Sequence, residues 1–367
     1  MFLPSSRFPA EIWVTICSEV HDSASLASLC RISRSCRPEA QRILYHSVDL
    51  RDRPMRAIQL WARTMIGTPL AERVYALALC LPGTLRFDVS HATKIGRALA
   101  KCVNLKELRM VSDEELIETA GDAQYGVHGW LINNCSFRLT KFENFHFEDR
   151  RIAEFWKNQT ELQVLLTRTC SFLRDPVVLP QLNAIEAADL LDLSERRSLQ
   201  RVSTRLDDTN LRRLARCTTN LTTLYLSRDS VDRWFSIGDA IATAAGCFPD
   251  LIHFAIVEKQ DDVPSHEEVS NTTLEQFLKL ETLVLQVLNI SCFDIDGATH
   301  EMNTAAGLYG LGNGFMMACP ALRRATIRAE MGGQVLAIMV TRSQGGEIDE
   351  GSQTVVDFDT SCMLWNQ

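Results

Sequence analysis

Apolar residues recur along the chain in the frame L-x-x-L-x-L, with apolar side chains at its first, fourth and sixth positions. The clear instances are Val74/Leu77/Leu79, Leu105/Leu108/Met110, Phe142/Phe145/Phe147, Leu221/Leu224/Leu226, Leu251/Phe254/Ile256, Leu280/Leu283/Leu285 and Leu322/Ala325/Ile327. Weaker ones are Leu162/Leu165/Thr167, Leu182/Ile185/Ala187 and Leu199/Val202/Thr204, and the last two are of a kind that chance supplies in a leucine-bearing chain. Alternate residues of a strand share a face, so positions 4 and 6 are expected in the core, with position 1 anchoring the turn into the strand. First positions are 31, 37, 20, 20, 17, 22, 30, 29 and 42 residues apart. The short steps suit a repeat array of period about 20–29 residues, and the long ones require insertions. Before several frames lie "TKIGRALAKC", "NLRRLARC", "IGDAIATAAGC" and "GNGFMMAC", whose apolar residues fall at the intervals of an amphipathic helix. The pattern predicts alternating helices and short strands, an α/β repeat.

A cysteine stands shortly ahead of four of these frames, at Cys102, Cys217, Cys247 and Cys319. A thiol is compact and tolerates burial, so these residues read as core filler closing each helix. The first fifty residues follow a different pattern. Pro9 and Glu11 suit the first turn of a helix, and Ile12, Ile16 and Val20 recur at four-residue steps as an apolar stripe. Ser23 or Ser25 is placed to cap a second helix carrying Leu26, Leu29 and Cys30. Pro38 fits the first turn of a third, with Ile43, Leu44 and Tyr45. Three short helices have little core of their own, and an exposed stripe on them favours a partner. At the other end, Val335–Val340 and Thr354–Phe358 read as strands of a closing hairpin.

Composition narrows the function. With 367 residues the chain exceeds one ordinary compact core, and a net charge of −8 argues against nucleic acid as the main partner. No run of eighteen apolar residues occurs, which excludes a membrane-spanning helix. Arg7 and Glu11 interrupt the apolar stretch that a secretory signal needs, so reduced thiols and a cytoplasmic or nuclear setting are expected. Asp250–His300 holds ten acids against Lys259 and Lys279, and "EKQDDVPSHEE" reads as a solvated acidic loop. Trp130, Trp156 and Trp234 lie in or near the long insertions, as local core or as a rim for a partner.

Known chemistry is not matched. Gly307–Phe315, "GLYGLGNGF", has no P-loop lysine and reads as a flexible loop between repeats. "DIDG" at Asp294–Gly297 starts like a calcium loop, but Ala305 stands where the bidentate acid belongs. Neither a zinc-type Cys/His spacing nor a G-x-S-x-G elbow is present. No cofactor, metal or catalytic residue is expected.

Two resemblances tie these patterns together. The frames resemble the cysteine-containing leucine-rich repeats, in which Cys-x-x-Leu-x-x-Leu-x-Leu recurs, with Cys170 at the family's second cysteine. Spacing here is irregular, and the asparagine that often follows the strand is missing. Residues Phe8–Leu50 resemble the F-box: Phe8-Pro9-x-Glu11-Ile12, Ile16, Leu26, Leu29, Ser33-Arg34, and Leu44-Tyr45 leading into Val48-Asp49-Leu50. The chain departs at Phe8, where leucine is usual, at Cys17, where phenylalanine is common, and at Cys36, where tryptophan often stands. Together they imply a three-helix F-box-like module (1–52), an irregular leucine-rich-repeat solenoid (53–330) and a β-rich cap (331–367). The F-box resemblance implies docking on a Skp-type adaptor of a cullin-RING ubiquitin ligase through Phe8, Pro9, Ile12, Ile16, Val20, Leu26 and Leu29. The repeats would then present an unidentified substrate protein, and the chain itself would be a non-catalytic specificity subunit. The alternative is a repeat scaffold outside any ligase, whose N-terminal helices only cap the solenoid.

Overall fold

The computed structural model describes residues 10–32, 34–81, 89–112, 129–190, 192–195, 198–228, 235–258, 267–268, 271–287, 290–293, 299–301, 305–331, 334–343 and 345–350. The fold is α/β. Its contacts divide the chain into two units, Met1–Leu166 with Val177–Gln181, and Thr167–Pro176 with Leu182–Gln367. Among the described residues no helix is long and apolar enough to cross a membrane.

The first unit opens with three helices, α1 (Ala10–Ser18), α2 (Ser23–Ile32) and α3 (Arg37–His46). The cap of α2 is neither serine. Asp22 accepts hydrogen bonds from the Ala24 and Ser25 amides at 3.2 and 2.7 Å, because its carboxylate reaches the first free N–H groups of the helix. Strand β1 (Ser47–Leu50) follows α3 directly. After it come α4 (Met55–Gly67), β2 (Ala76–Leu81), α5 (Val89–Lys101), β3 (Glu107–Ser112), α6 (Trp130–Asn133), β4 (Lys141–Phe145), α7 (Ala153–Asn158) and β5 (Val164–Thr167). Strands β1 to β4 pair in parallel in chain order. Their register stacks Val48 on Leu77 and Leu77 on Leu108, then Leu108 on Phe142.

That register corrects one frame. Leu108 faces Phe142 and Met110 faces Asn144, so the third frame is Leu139/Phe142/Asn144, three residues earlier than the phenylalanines suggest. Leu139, Phe142 and Asn144 are buried, whereas Phe145 points to the other face and is partly exposed. The buried asparagine is satisfied locally: its side chain donates to the Phe147 carbonyl at 3.0 Å and accepts from the Phe147 amide at 2.9 Å. Trp156 is core, packed against Phe142 and Phe155, while Trp130 is exposed.

The second unit contains β6 (Ala184–Glu186), β7 (Arg201–Arg205), α8 (Asp208–Cys217), β8 (Thr223–Arg228), α9 (Ile237–Cys247) and β9 (His253–Glu258). It continues with β10 (Glu267–Glu268), β11 (Thr282–Val287), β12 (Ile290–Phe293), β13 (Thr299–Glu301), α10 (Ala305–Ala318), β14 (Arg324–Met331), β15 (Gln334–Arg342) and β16 (Ile348–Glu350). Strands β6, β7, β8, β9, β11 and β14 pair in parallel in that order. β10, β12 and β13 form a separate small sheet. The frames at Leu182 and Leu199, weakest in sequence, are genuine: Leu182, Ile185, Leu199 and Val202 are all buried under β6 and β7.

The glycine-rich segment Gly307–Phe315 is helix, not loop. Leu308, Leu311 and Phe315 supply a buried stripe, and Gly312 lets the helix approach β15 closely. A Cβ there would lie 2.7 Å from Val340 Cγ2. β15 reverses direction against β14, and β16 reverses again against β15. The turn between these last two strands contains Gly346 at φ +86°, a left-handed conformation that glycine tolerates. Thr354–Phe358 lies outside the described residues.

Candidate protein-docking surfaces

The helical module is built around four buried residues, Cys17, Leu26, Cys36 and Ala40. Trp13, Val20, Leu29, Cys30, Ile43 and Leu44 pack partly buried against them. Each helix contributes an inward face, and the two cysteines that depart from the F-box pattern sit at the centre. The Cys36 Sγ donates to the Leu29 carbonyl at 3.1 Å, tying the start of α3 to α2. Burial, and then the neighbouring Cys36, raises the Cys17 thiol pKa. Both cysteines are therefore interior to the module and form no part of its outer surface.

The seven expected adaptor residues separate into three groups. Phe8 and Pro9 lie outside the described residues. Ile12 and Ile16, one turn apart on α1, are 43% and 38% exposed. Val20 lies beyond the end of α1 and joins the core side with Leu29, and Leu26 is interior at 4% exposure. The expected stripe is thus split: its first two members face outward and the third turns in, because α1 ends at Ser18. Val14 and Ile32 are further exposed apolar residues that the stripe did not include. The module is anchored through α3. Arg73 Nη1 donates to the Pro38 carbonyl at 2.5 Å, and the Tyr75 amide donates to the His46 carbonyl at 2.9 Å.

A second surface lies on the outward face of β1 to β4. Parallel register places Ser47, Ala76, Glu107 and Lys141 in one row, and Asp49, Ala78, Arg109 and Glu143 in the next. The alanines of β2 are short between long neighbours, which leaves a groove of about 200 Å³. Five of the surrounding charges are mutually paired. Arg51 grips the Asp49 carboxylate, with Nη2 to Oδ2 at 2.6 Å, and this contact lowers the Asp49 pKa. Glu143 lies 2.9 Å from Arg109 Nε and 3.2 Å from Lys141 Nζ. The Arg109 contact is a charge contact, since the Nε–H is not aligned as a hydrogen bond.

Other polar and charged groups lie within the units. Ser112 Oγ and His146 Nδ1 are 2.6 Å apart, and both residues are buried. Arg228 and Glu258 form a buried ion pair at 3.0 Å between β8 and β9, so Glu258 does not belong to a solvated loop. Glu267 and Glu268 form β10, paired with β12. Asp261, Asp262, Trp234 and Asp294–Gly297 lie outside the described residues. Burial pushes the Cys102 and Cys135 thiols up to about 12. Among the described residues no group of His, Cys, Asp and Glu is placed to hold a metal ion. Comparison with models of known protein families finds no match, and none of the curated proteins matches the chain.

Proposed function

We propose that the chain is the substrate-recognition subunit of an SCF-type ubiquitin ligase, docking on a Skp-type adaptor through α1 and α2 and presenting a substrate protein on leucine-rich-repeat-like strands. The observation that carries this reading is the exposure of Ile12 and Ile16 on one face of α1, above a module core that is already filled without them. Aliphatic side chains left in water on a small helical module favour a protein partner. The recurring frames and their parallel register support the repeat half of the reading. The chain would accelerate ubiquitin transfer by tethering, through the effective concentration gained on a shared scaffold. Replacing Ile12→Asp and Ile16→Asp together is expected to abolish co-purification of the adaptor while far-UV circular dichroism and the melting temperature stay unchanged. Undiminished co-purification would overturn the docking assignment.

A second reading has its own support. α3 runs straight into β1, which pairs with β2, and Arg73 binds the carbonyl of Pro38 in α3. Helices so attached would also serve as a cap on the exposed edge of the strands, in a scaffold without ligase function. The same double variant separates the two, since a pure cap gains nothing from exposed Ile12 and Ile16.

A further inference from the structure

The groove on β1 to β3 carries an inference about the substrate, and it rests on the reading of this chain as a substrate receptor. Its floor is the pair of methyl groups of Ala76 and Ala78, and its walls are Asp49 and Arg51 on one side and Glu107 and Arg109 on the other. At about 200 Å³ it is smaller than a typical small-molecule pocket of roughly 300–1,000 Å³ and suits a single side chain. The charges on its walls are unevenly satisfied. Arg51 is held by Asp49, and Arg109 and Lys141 by Glu143. Glu107 is exposed and has no ion-pair or side-chain hydrogen-bond partner among the described residues.

We propose that this groove receives one arginine or lysine side chain of the substrate protein, its aliphatic stem lying on Ala76 and Ala78 and its cationic head meeting Glu107. Long cationic side chains bury their stems on apolar surface while keeping the head at a polar rim, which is the division of surface this groove offers. An anionic side chain would meet Glu107 at once, and would have to draw Arg51, Arg109 or Lys141 away from carboxylates that already hold them. An apolar side chain would cover Glu107 without compensating its charge. The net charge of −8 favours approach of a basic partner over an acidic one.

The test uses the full chain labelled with 13C at alanine methyl groups and titrated with Nα-acetyl-arginine amide. The isosteric, uncharged Nα-acetyl-citrulline amide serves as the control. The expected result is a saturable shift of the Ala76 and Ala78 methyl resonances with the arginine amide and a weaker one with citrulline. Glu107→Gln should weaken binding about two- to five-fold, the scale of one exposed ion pair. Ala78→Met, which fills the floor, should remove the response of Ala76. The proposal is overturned if neither methyl responds, if citrulline binds as well as arginine, or if Glu107→Gln changes nothing. Adaptor co-purification should be intact in Glu107→Gln and Ala78→Met. Its loss in the Ile12/Ile16 double variant tests the ligase reading separately, so either idea can fail while the other stands.

Discussion

The cysteine that precedes a frame is one solution to a packing requirement that other residues meet as well. The site three residues before the anchor leucine is buried at Cys102, Gln159, Thr218, Phe248, Phe277 and Cys319, and exposed at Ser136 before Leu139. The anchor amides of Leu105, Leu162, Leu251 and Leu322 bond back to the carbonyl at that site, at 3.0 to 3.4 Å. A carbonyl in the right place and a side chain that tolerates burial are what the turn needs. Cys217 and Cys247 sit one residue earlier. Cys217 is buried, with Sγ donating to the Leu193 carbonyl at 3.0 Å, and Cys247 is partly exposed. At pH 8.5 brief iodoacetamide treatment should therefore modify Cys247 and Cys30 well before Cys102 and Cys135, read by peptide mass spectrometry. Equal labelling of Cys102 and Cys247 would contradict their burial. The linkage has a definite sign. The folded pKa values of Cys102 and Cys135, about 12, lie above the ordinary thiol value of 9.0. Their contribution to stability is complete below pH 9 and is lost as pH rises from there toward 12.

Connections between strands adapt to the number of residues available, while the strand entrance does not change. Steps of 20 to 42 residues each hold a helix or a 3-10 turn, whereas the 17-residue step from Leu182 to Leu199 has no helix among its described residues. Yet the same bifurcated bond opens strand after strand. The Tyr75 carbonyl accepts from Lys106 and Glu107, Lys106 from Thr140 and Lys141, and Thr222 from Ile252 and His253. Glu281 accepts likewise from Arg323 and Arg324. Irregular spacing is thus absorbed by the connectors, because backbone bonding at the entrance depends on parallel register and not on what lies between. The glycines of α10 show how closely an element can be constrained on one side only. A Cβ at Gly310 meets nothing within 4 Å, whereas one at Gly312 collides with Val340. Gly310→Ala should raise stability by about 0.5–1 kcal/mol, and Gly312→Ala should lower it by about 1–3 kcal/mol through overpacking. Denaturant titration of the two variants checks the contrast, and equal effects would contradict the packing of α10 on β15.

Across the molecule, the repeated entrance bonds should be visible as a common level of protection. Amides that donate into them, including Glu107, Lys141 and Val164 in one unit and Thr223, His253 and Thr282 in the other, should exchange far more slowly than those of α1 in native-state hydrogen exchange. Fast exchange at the frames of shortest spacing would show that those strands are only loosely paired. Much of this architecture was readable in advance, since nine of the ten frames fall on strands with their anchors buried. A period-two pattern of large aliphatic residues is a local property, and burial of such residues leaves few other arrangements. Register was not readable where polar residues enter the core, as at Asn144, because a buried asparagine is stabilised by the Phe147 backbone that folding brings to it. Spacing marked the helix only from Gly312 onward; the earlier turn, Gly307–Leu311, overcomes glycine's low helix propensity because Leu308 and Leu311 are buried with Phe315. The same holds for the docking surfaces. The apolar stripe of α1 was visible in the sequence, but which of its members face water depends on where the helix stops and what α2 and α3 cover. The groove over Ala76 and Ala78 arises solely from the lengths of side chains on neighbouring strands, residues far apart in the chain that parallel pairing sets side by side.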